Sequence, residues 1–324
     1  MLVRLINLTI VTVESKKLHC WFLLCIAKIM QVIFCEKHIK KALLLSAFFV
    51  LNFLLYSPIF ANSCSPDRLS LPEKAIVKWV YDGDTLLLKD KRKIRVIGID
   101  TPEVKHHKQK AQAYGAKARE ALRELLKSFN YHVILRYGPE KQDRYSRILA
   151  HVYLPDGTNI SRWLLKKGYA KTLAFPPNIK LAKCYKTEEN KAQRQSLRIW
   201  RYKSNQIKTV ESLSRTHKGY VRLEGIIKKI KHNKKSLIMS FKGSGKRVVR
   251  LKIKKKHLKY FKKMSLDKLQ NKTILVTGMI RERYGKRTIH VSYPTQLKIM
   301  KKNHARTIKS KSNSVIKWSL DNAH

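Results

Sequence analysis

The feature that most restricts the fold is a repeated succession of short segments rich in Val, Ile and Leu, broken by turn residues. Residues 74–81, 85–89 and 93–99 read as three strands. A helix follows over residues 109–129, where Ala113, Lys117, Ala121 and Leu125 share one stripe, flanked by Leu122 and Leu126. Strands are then expected at 131–137 and 148–154, the second closed by Pro155-Asp156-Gly157. Two more helices fit residues 160–167, ending at Gly168, and 179–200. From Gly219 the pattern begins again, with strands at 220–231, 236–241 and 247–253, a short helix at 255–264, and strands at 273–283 and 288–292 around Tyr284-Gly285. Five strands with a helix between the third and fourth suggest a Greek-key barrel of OB type. The expected fold class is mainly β with helices (α+β): a five-stranded OB-type barrel followed by a second, OB-like barrel.

The chain has 324 residues, of which 71 are Lys or Arg and 21 Asp or Glu, a formal charge of +50. Such a field favours polyanionic partners; a merely solvated basic surface is the equal alternative. The first sixty or so residues read as an address. Lys37, Lys40 and Lys41 precede an apolar run over 42–55, and Pro58 and Ala61 then supply a signal-peptidase site. That run is shorter than the ~20 residues needed to span a bilayer, so no stable membrane span is expected after cleavage. The expected division is a signal peptide at 1–61 (with Met30 as a possible initiator), a linker at 62–73, a first domain at 74–201, a linker at 202–218, the second barrel at 219–300 and a basic tail at 301–324. Secretion or periplasmic export follows, and the exported chain keeps 64 basic and 19 acidic residues. Cleavage also removes Cys20, Cys25 and Cys35, leaving Cys64 and Cys184. In an oxidising compartment these suggest one disulfide; the alternatives are free thiols or a lipoprotein anchor at Cys64.

One compact set of residues carries chemistry. Asp82-Gly83-Asp84-Thr85 places two carboxylates at a turn between strands. Arg95 follows on a strand, with Asp100-Thr101-Pro102-Glu103 at its exit, and Asp143-Arg144-Tyr145-Ser146-Arg147 leads into the fifth strand. Oxygen donors without a His/Cys cluster suit a hard cation such as Ca²⁺. Alone, each fragment is most simply a turn, a helix cap or a solvated edge. Together, in this order and on five-strand grammar, they are hard to obtain by accident.

These runs, with Tyr114-Gly115 and Leu197-Arg198-Ile199-Trp200, resemble the staphylococcal nuclease family over about residues 74–201. The resemblance implies a calcium-dependent phosphodiesterase, an endonuclease acting on DNA and on RNA as a further substrate, and a monomer. It implies Asp84 and Asp100 as direct Ca²⁺ ligands, with the backbone carbonyl of Thr101 and with Asp82 supporting the site from behind. Glu103 corresponds to the carboxylate that orients or deprotonates the attacking water. Arg95 and Arg147 correspond to the pair on the scissile phosphate, and Arg144 and Tyr145 to substrate contacts. The chain departs from the family at Ser146, where glycine is usual, and at Phe175-Pro176-Pro177, where the aromatic pair that stacks on the nucleotide is not evident. His106 and His107, among Lys105, Lys108 and Lys110, read as a basic loop over the nucleic-acid backbone rather than as metal ligands. Lys228, Lys229, Lys231, Lys234, Lys235, Arg247 and Arg250 either widen the nucleic-acid footprint or form a solvated face. A non-catalytic nucleic-acid-binding protein of two OB domains, and a basic envelope protein binding anionic polymer or lipid, are the competing readings.

Overall fold

Alternation along the first strands decides the architecture. In β1 (Glu73–Asp82), Val77 and Val80 point inward; in β2 (Thr85–Leu88) and β3 (Lys93–Val96) the inward residues are Leu86, Leu88, Ile94 and Val96. A two-residue strand β4 (Ile99–Asp100) follows, then β5 (His132–Gln142) and β6 (Ile148–Tyr153), which add Val133, Leu135, Ala150 and Val152 to the same core. These strands close a barrel in the order β1-β2-β3-β6-β5, sealed by the parallel pairing of β3 with β6. Closure leaves no exposed edge and commits every inward side chain to one core. The structure is a computed structural model that describes residues 70–104, 111–214, 216–217, 219–243 and 249–300. The expected leader and its cleavage site, Cys64, the loop with His106 and His107, Arg247 and the tail lie outside the described residues.

Helix α1 (Gly115–Lys127) starts later than the sequence pattern suggests, and its buried stripe is displaced. Gly115, Ala118, Leu122 and Leu126 face the core, whereas Ala113 and Lys117 are exposed. The cause lies at its first turn: the Gln112 amide donates to the Glu103 carbonyl at 2.9 Å, and Tyr114 sits at φ 70°. That left-handed residue cannot continue a helix backwards. Helix α2 (Ile160–Lys166) is capped by the Asn159 side chain, which accepts from the Arg162 amide at 2.8 Å. Helix α3 (Ala182–Arg194) is also shorter than expected, because Ser196 and Arg198 take positive φ and turn the chain into a 3-10 segment at Arg198–Arg201. Between α2 and α3 a short strand β7 (Lys171–Thr172) pairs with β4, setting Asp100 opposite Lys171.

The segment expected as a linker carries structure of its own. A short 3-10 turn leads to β8 (Ile207–Thr209), which lies parallel to β9 (Gly219–Asn233). With β10 (Ser236–Phe241), β11 (Arg250–Lys254), β12 (Thr273–Arg283) and β13 (Lys286–His290), β9 forms a second closed ring in the order β9-β10-β11-β13-β12, and β14 (Leu297–Ile299) adds to β12. This is the topology of the first barrel, including a parallel closing pair, here β11 with β13. The expected helix at 255–264 is a 3-10 segment, Lys255–Phe261. Its apolar residues Leu258 and Phe261 stand at i and i+3, the spacing a three-residue turn superposes on one side.

A polar knot ties α3 to the first barrel. His151, 1 % exposed on β6, shares a hydrogen bond with the Tyr185 hydroxyl at 2.8 Å, and Asn159 donates to the same oxygen at 3.1 Å. Burial depresses the imidazole to about pH 3, so His151 is neutral in the fold. An unfolded histidine takes up its proton near pH 6.5. The neutral knot therefore stabilises the fold above that value, and the contribution is lost as the pH falls from there toward 3. In denaturant unfolding from pH 7 to pH 4 we expect stability to fall by up to about 1.4 kcal/mol per pH unit through this group, and His151→Gln to flatten that slope.

Candidate active site

The site is built on Asp84, in the tight turn between β1 and β2. The Asp82 carboxylate accepts from the Asp84 amide at 2.9 Å and fixes the turn. Gly83 is required there because a Cβ would lie 2.6 Å from Cγ2 of Thr101, so only glycine lets the turn close onto the exit of β4. With that approach made, Asp84 Oδ2 accepts from the Thr101 amide at 2.8 Å and the Thr101 hydroxyl at 3.1 Å. Its Oδ1 is ion-paired with Arg95 at 2.9 Å and accepts from the Thr85 hydroxyl at 3.1 Å. A 5 % exposed carboxylate is thus met by four groups from three residues, Thr85, Arg95 and Thr101.

One expected arginine reaches this carboxylate directly and the other through Thr85. Arg95 spans it and Asp100, whose Oδ1 lies 3.4 Å from the guanidinium. Arg147 donates to the Thr85 hydroxyl at 3.5 Å, and Asp143 holds it at 2.8 Å. Burial pushes the Asp143 carboxyl up, but the amides of Arg147 and Tyr145 and the Arg147 side chain outweigh it and hold the carboxyl below its ordinary value. Asp143 is therefore a firm anionic brace for Arg147. Tyr145 is 64 % exposed, with Arg144 and Arg147 lying 4.7 and 5.6 Å from its ring centre, and forms the rim. Glu103 follows on the segment leaving β4. Its carbonyl accepts from Gln112, and a Cβ on Gly115 would come within 2.3 Å of that oxygen. The start of α1 thus packs tightly on the Glu103 backbone.

The charge balance is incomplete. Burial raises the Asp84 carboxyl, Arg95 opposes the rise and Asp82 adds to it. Asp100 is raised by burial and by Asp84. Two acids sharing one guanidinium are short of positive charge. All the donors are oxygen, which fits a hard divalent cation better than zinc or iron. No group of three or more His, Cys, Asp or Glu side chains able to hold a metal occurs among the described residues. Two carboxylates and a backbone carbonyl would leave most positions of a six- to eight-coordinate ion to water and substrate.

Sequence reasoning singled out Asp82, Asp84, Arg95, Asp100, Thr101 and Arg147, and the fold brings them together. It missed Lys171, half-buried, which the β4–β7 pairing sets opposite Asp100. Next to it, Glu189, 1 % exposed, accepts from the Thr172 amide at 2.8 Å and the Thr172 hydroxyl at 3.0 Å. The Lys171 ammonium sits 4.1 Å from the ring centre of Tyr220, a residue of β9 in the second barrel. No local signal marks either residue, because the contact joins positions far apart in sequence. Phe175 is 56 % exposed beyond this strand, and the aromatic cluster nearest α1 is instead Tyr114 with Tyr169 and Tyr202, at 6.5 and 5.7 Å. Replacing Tyr220 by Ala is expected to destabilise the protein by about 1–2 kcal/mol beyond the loss in Tyr220→Phe, which keeps the ring over the ammonium. Unfolding of both variants in urea measures the difference.

Residues 93–202 match the family described as Staphylococcal nuclease homologue. Over 133 residues the chain is 37 % identical to the thermonuclease of Staphylococcus intermedius, covering 40 % of this chain and 76 % of that protein. It is 34 % identical over 124 residues to the thermonuclease of Staphylococcus hyicus, covering 37 % of this chain and 72 % of the relative. Endonuclease YncB of Bacillus subtilis is 33 % identical over 123 residues, and the match spans 57 % of its length. With the buried Asp84, its two arginines and the closed OB-type barrel in place, these likenesses show that the chain belongs to the staphylococcal nuclease family.

Proposed function

We propose that the protein is a calcium-dependent endonuclease that hydrolyses phosphodiester bonds of DNA, and of RNA as a second substrate. The observation that carries the reading is the convergence of Arg95 and Arg147 on one carboxylate oxygen of Asp84, Arg95 directly and Arg147 through the Thr85 hydroxyl. A phosphate entering this cluster meets two guanidinium groups whose orientation is already fixed by Asp84, Asp100 and Asp143. Preorganised cations of this kind stabilise charge that grows on the phosphoryl oxygens in the transition state. Asp84 and Asp100 would hold the cation, with the Thr101 carbonyl beside them and Asp82 fixing the turn. When bound, Ca²⁺ supplies Lewis-acid polarisation of the phosphate.

Glu103 takes the role of base: it accepts a proton from the attacking water as the new P–O bond forms. The tight packing of α1 against its backbone supports that assignment, because a base must be held in place to act. Arg147 stabilises the oxygen that leaves. Arg144 and Tyr145 line the rim, where an exposed aromatic ring offers a face to a base or sugar. Incubating the protein with plasmid and single-stranded DNA should give cleavage with Ca²⁺ and none with chelator. Substituting Ala for Glu103 or Arg147 should lower the rate about a hundredfold or more while leaving the unfolding midpoint in chelator close to that of the parent, whereas Arg95→Ala should lower both, because it leaves the buried Asp84 carboxylate without its compensating charge. Cleavage that persists in the Glu103 and Arg147 variants would refute the residue assignment.

We also infer export, with the leader removed after Ala61, and a disulfide between Cys184 and Cys64. The burial of Cys184 on α3 supports a structural role for its sulfur. No helix among the described residues is long and apolar enough to cross a membrane. The mature protein from culture fluid or periplasm should begin at Asn62, and alkylation without reductant should label neither cysteine. Recovery of an intact leader, or labelling of both thiols, would overturn these two inferences.

A further inference from the structure

The two barrels share a topology and also a register, so their positions can be matched. In the first barrel Asp82 pairs with Thr85 across a two-residue turn, and Thr85 pairs with Arg95. In the second, Asn233 pairs with Ser236 across a two-residue turn, and Ser236 pairs with Lys254. Where the first barrel has Gly83-Asp84, the second therefore has Lys234-Lys235, both exposed; where the first has Arg95, it has the exposed Lys254. The acidic turn that would gather a cation is replaced by a turn carrying two cations. This end of the second barrel lacks the carboxylates for the same chemistry and has the charge for holding the same polyanion.

The outward face continues the pattern. Lys229, Ser240, Arg250, Thr288 and Arg281 lie in one row across all five strands of the ring, since each is register-paired with the next. A second row, Lys231, Ile238, Lys252 and His290, runs beside it. Leu251, Ile253, Met239 and Ile289, at alternating positions, are buried, so the rows point to solvent. His290 is held below its ordinary value by burial and by Lys252, Arg281 and Lys254, which places those three cations around it. Among the described residues of the second barrel, the contact of a basic to an acidic side chain is His232 with Asp267 at 2.7 Å, on the residue after Lys231, and none of the cations in the rows has one. At the tip of the β12–β13 turn Tyr284 is 84 % exposed, with Arg283 lying 5.1 Å from its ring centre.

We infer that this face of the second barrel, with the Lys234-Lys235 and Tyr284 turns at its borders, docks single-stranded nucleic acid without cleaving it. Rows of cations and hydroxyl donors suit a phosphodiester backbone, and an exposed ring flanked by Arg suits base stacking. The cations alone would also draw an anionic membrane, but insertion into a bilayer buries apolar side chains as well, and these rows offer only Ile238. Nucleic acid is the partner class that the nuclease reading already names, but docking on this face does not depend on catalysis by the first barrel.

The test uses the full mature protein and a fluorescein-labelled single-stranded oligothymidylate, followed by anisotropy in chelator at several salt concentrations. Arg250→Ala/Lys252→Ala/Lys254→Ala should lower the slope of log K against log salt by about 2, roughly 0.7 for each lost phosphate contact. Tyr284→Ala should weaken binding about tenfold with little change in slope. Lys262→Ala/Lys263→Ala/Lys268→Ala removes three exposed lysines outside the rows and should leave the slope as it was. Calcium-dependent cleavage of a dinucleotide, too short to reach both barrels, should be unaffected in all three variants. An unchanged slope in the first variant, or an equal drop in the Lys262 control, would overturn the inference. So would binding to phosphatidylserine vesicles that the oligonucleotide does not compete away. Failure of cleavage in calcium with docking intact would instead count against the proposed activity alone.

Discussion

Everything distinctive about the first barrel depends on the carboxylate of Asp84 being buried and still fully hydrogen-bonded. A buried acid without partners would cost several kcal/mol or abandon its charge. Here the partners come from β1–β2, β3 and the exit of β4, so the bonds that make the charge tolerable also fix the mutual position of those segments. Gly83 allows the approach, Thr101 supplies two donors and Arg95 carries the compensating charge. Stability and function compete at this point, because a carboxylate saturated by protein donors has little left for a ligand. The second acid, Asp100, is the more open one, with 46 % of its side chain exposed against 7 % for Asp84. The pair divides the work: one acid organises the site and the other faces what enters it.

Much of this is legible in the sequence because it is local. Asp82-Gly83-Asp84-Thr85 declares a turn, and the alternation of Val, Ile and Leu on either side declares the strands it joins. The five-strand succession, read twice, gives both barrels, and the inward residues follow from period two. The limits of α1 and α3 are less readable. Tyr114, Ser196 and Arg198 adopt left-handed backbone conformations that their residue types do not advertise, and tertiary contacts hold them there. The strand β8 is hidden for a similar reason. Three residues carry no periodicity, and Ile207–Thr209 becomes a strand only because β9 offers an edge. Lys171 is the clearest case, since nothing near it in sequence says that it will face Asp100.

The repeated topology shows how one scaffold carries two kinds of surface. The parallel closing pair, the two-residue first turn and the inward aliphatic set are common to both rings. The residues of the first turn, the insertion before the fourth strand and the outward residues differ, and exposed residues cost little to exchange because the core does not feel them. On the first ring the first turn carries acids braced by arginines; on the second it carries lysines.

The placement of Tyr220 over Lys171 has a consequence for where this protein could be divided. The pattern of strands suggests a cut after the 3-10 turn at Arg198–Arg201, leaving the first ring whole. Such a cut would remove the aromatic cover from an ammonium that stands between Asp100 and Glu189, and would remove Arg222, which donates to Gln193 on α3 at 2.9 Å and lies over the Trp200 ring. The uncovered ammonium would take up water, and its hold on Asp100 and Glu189 would weaken. Severed from its neighbour, the first ring would keep its outline but lose the aromatic shelter that fixes the ammonium beside Asp100.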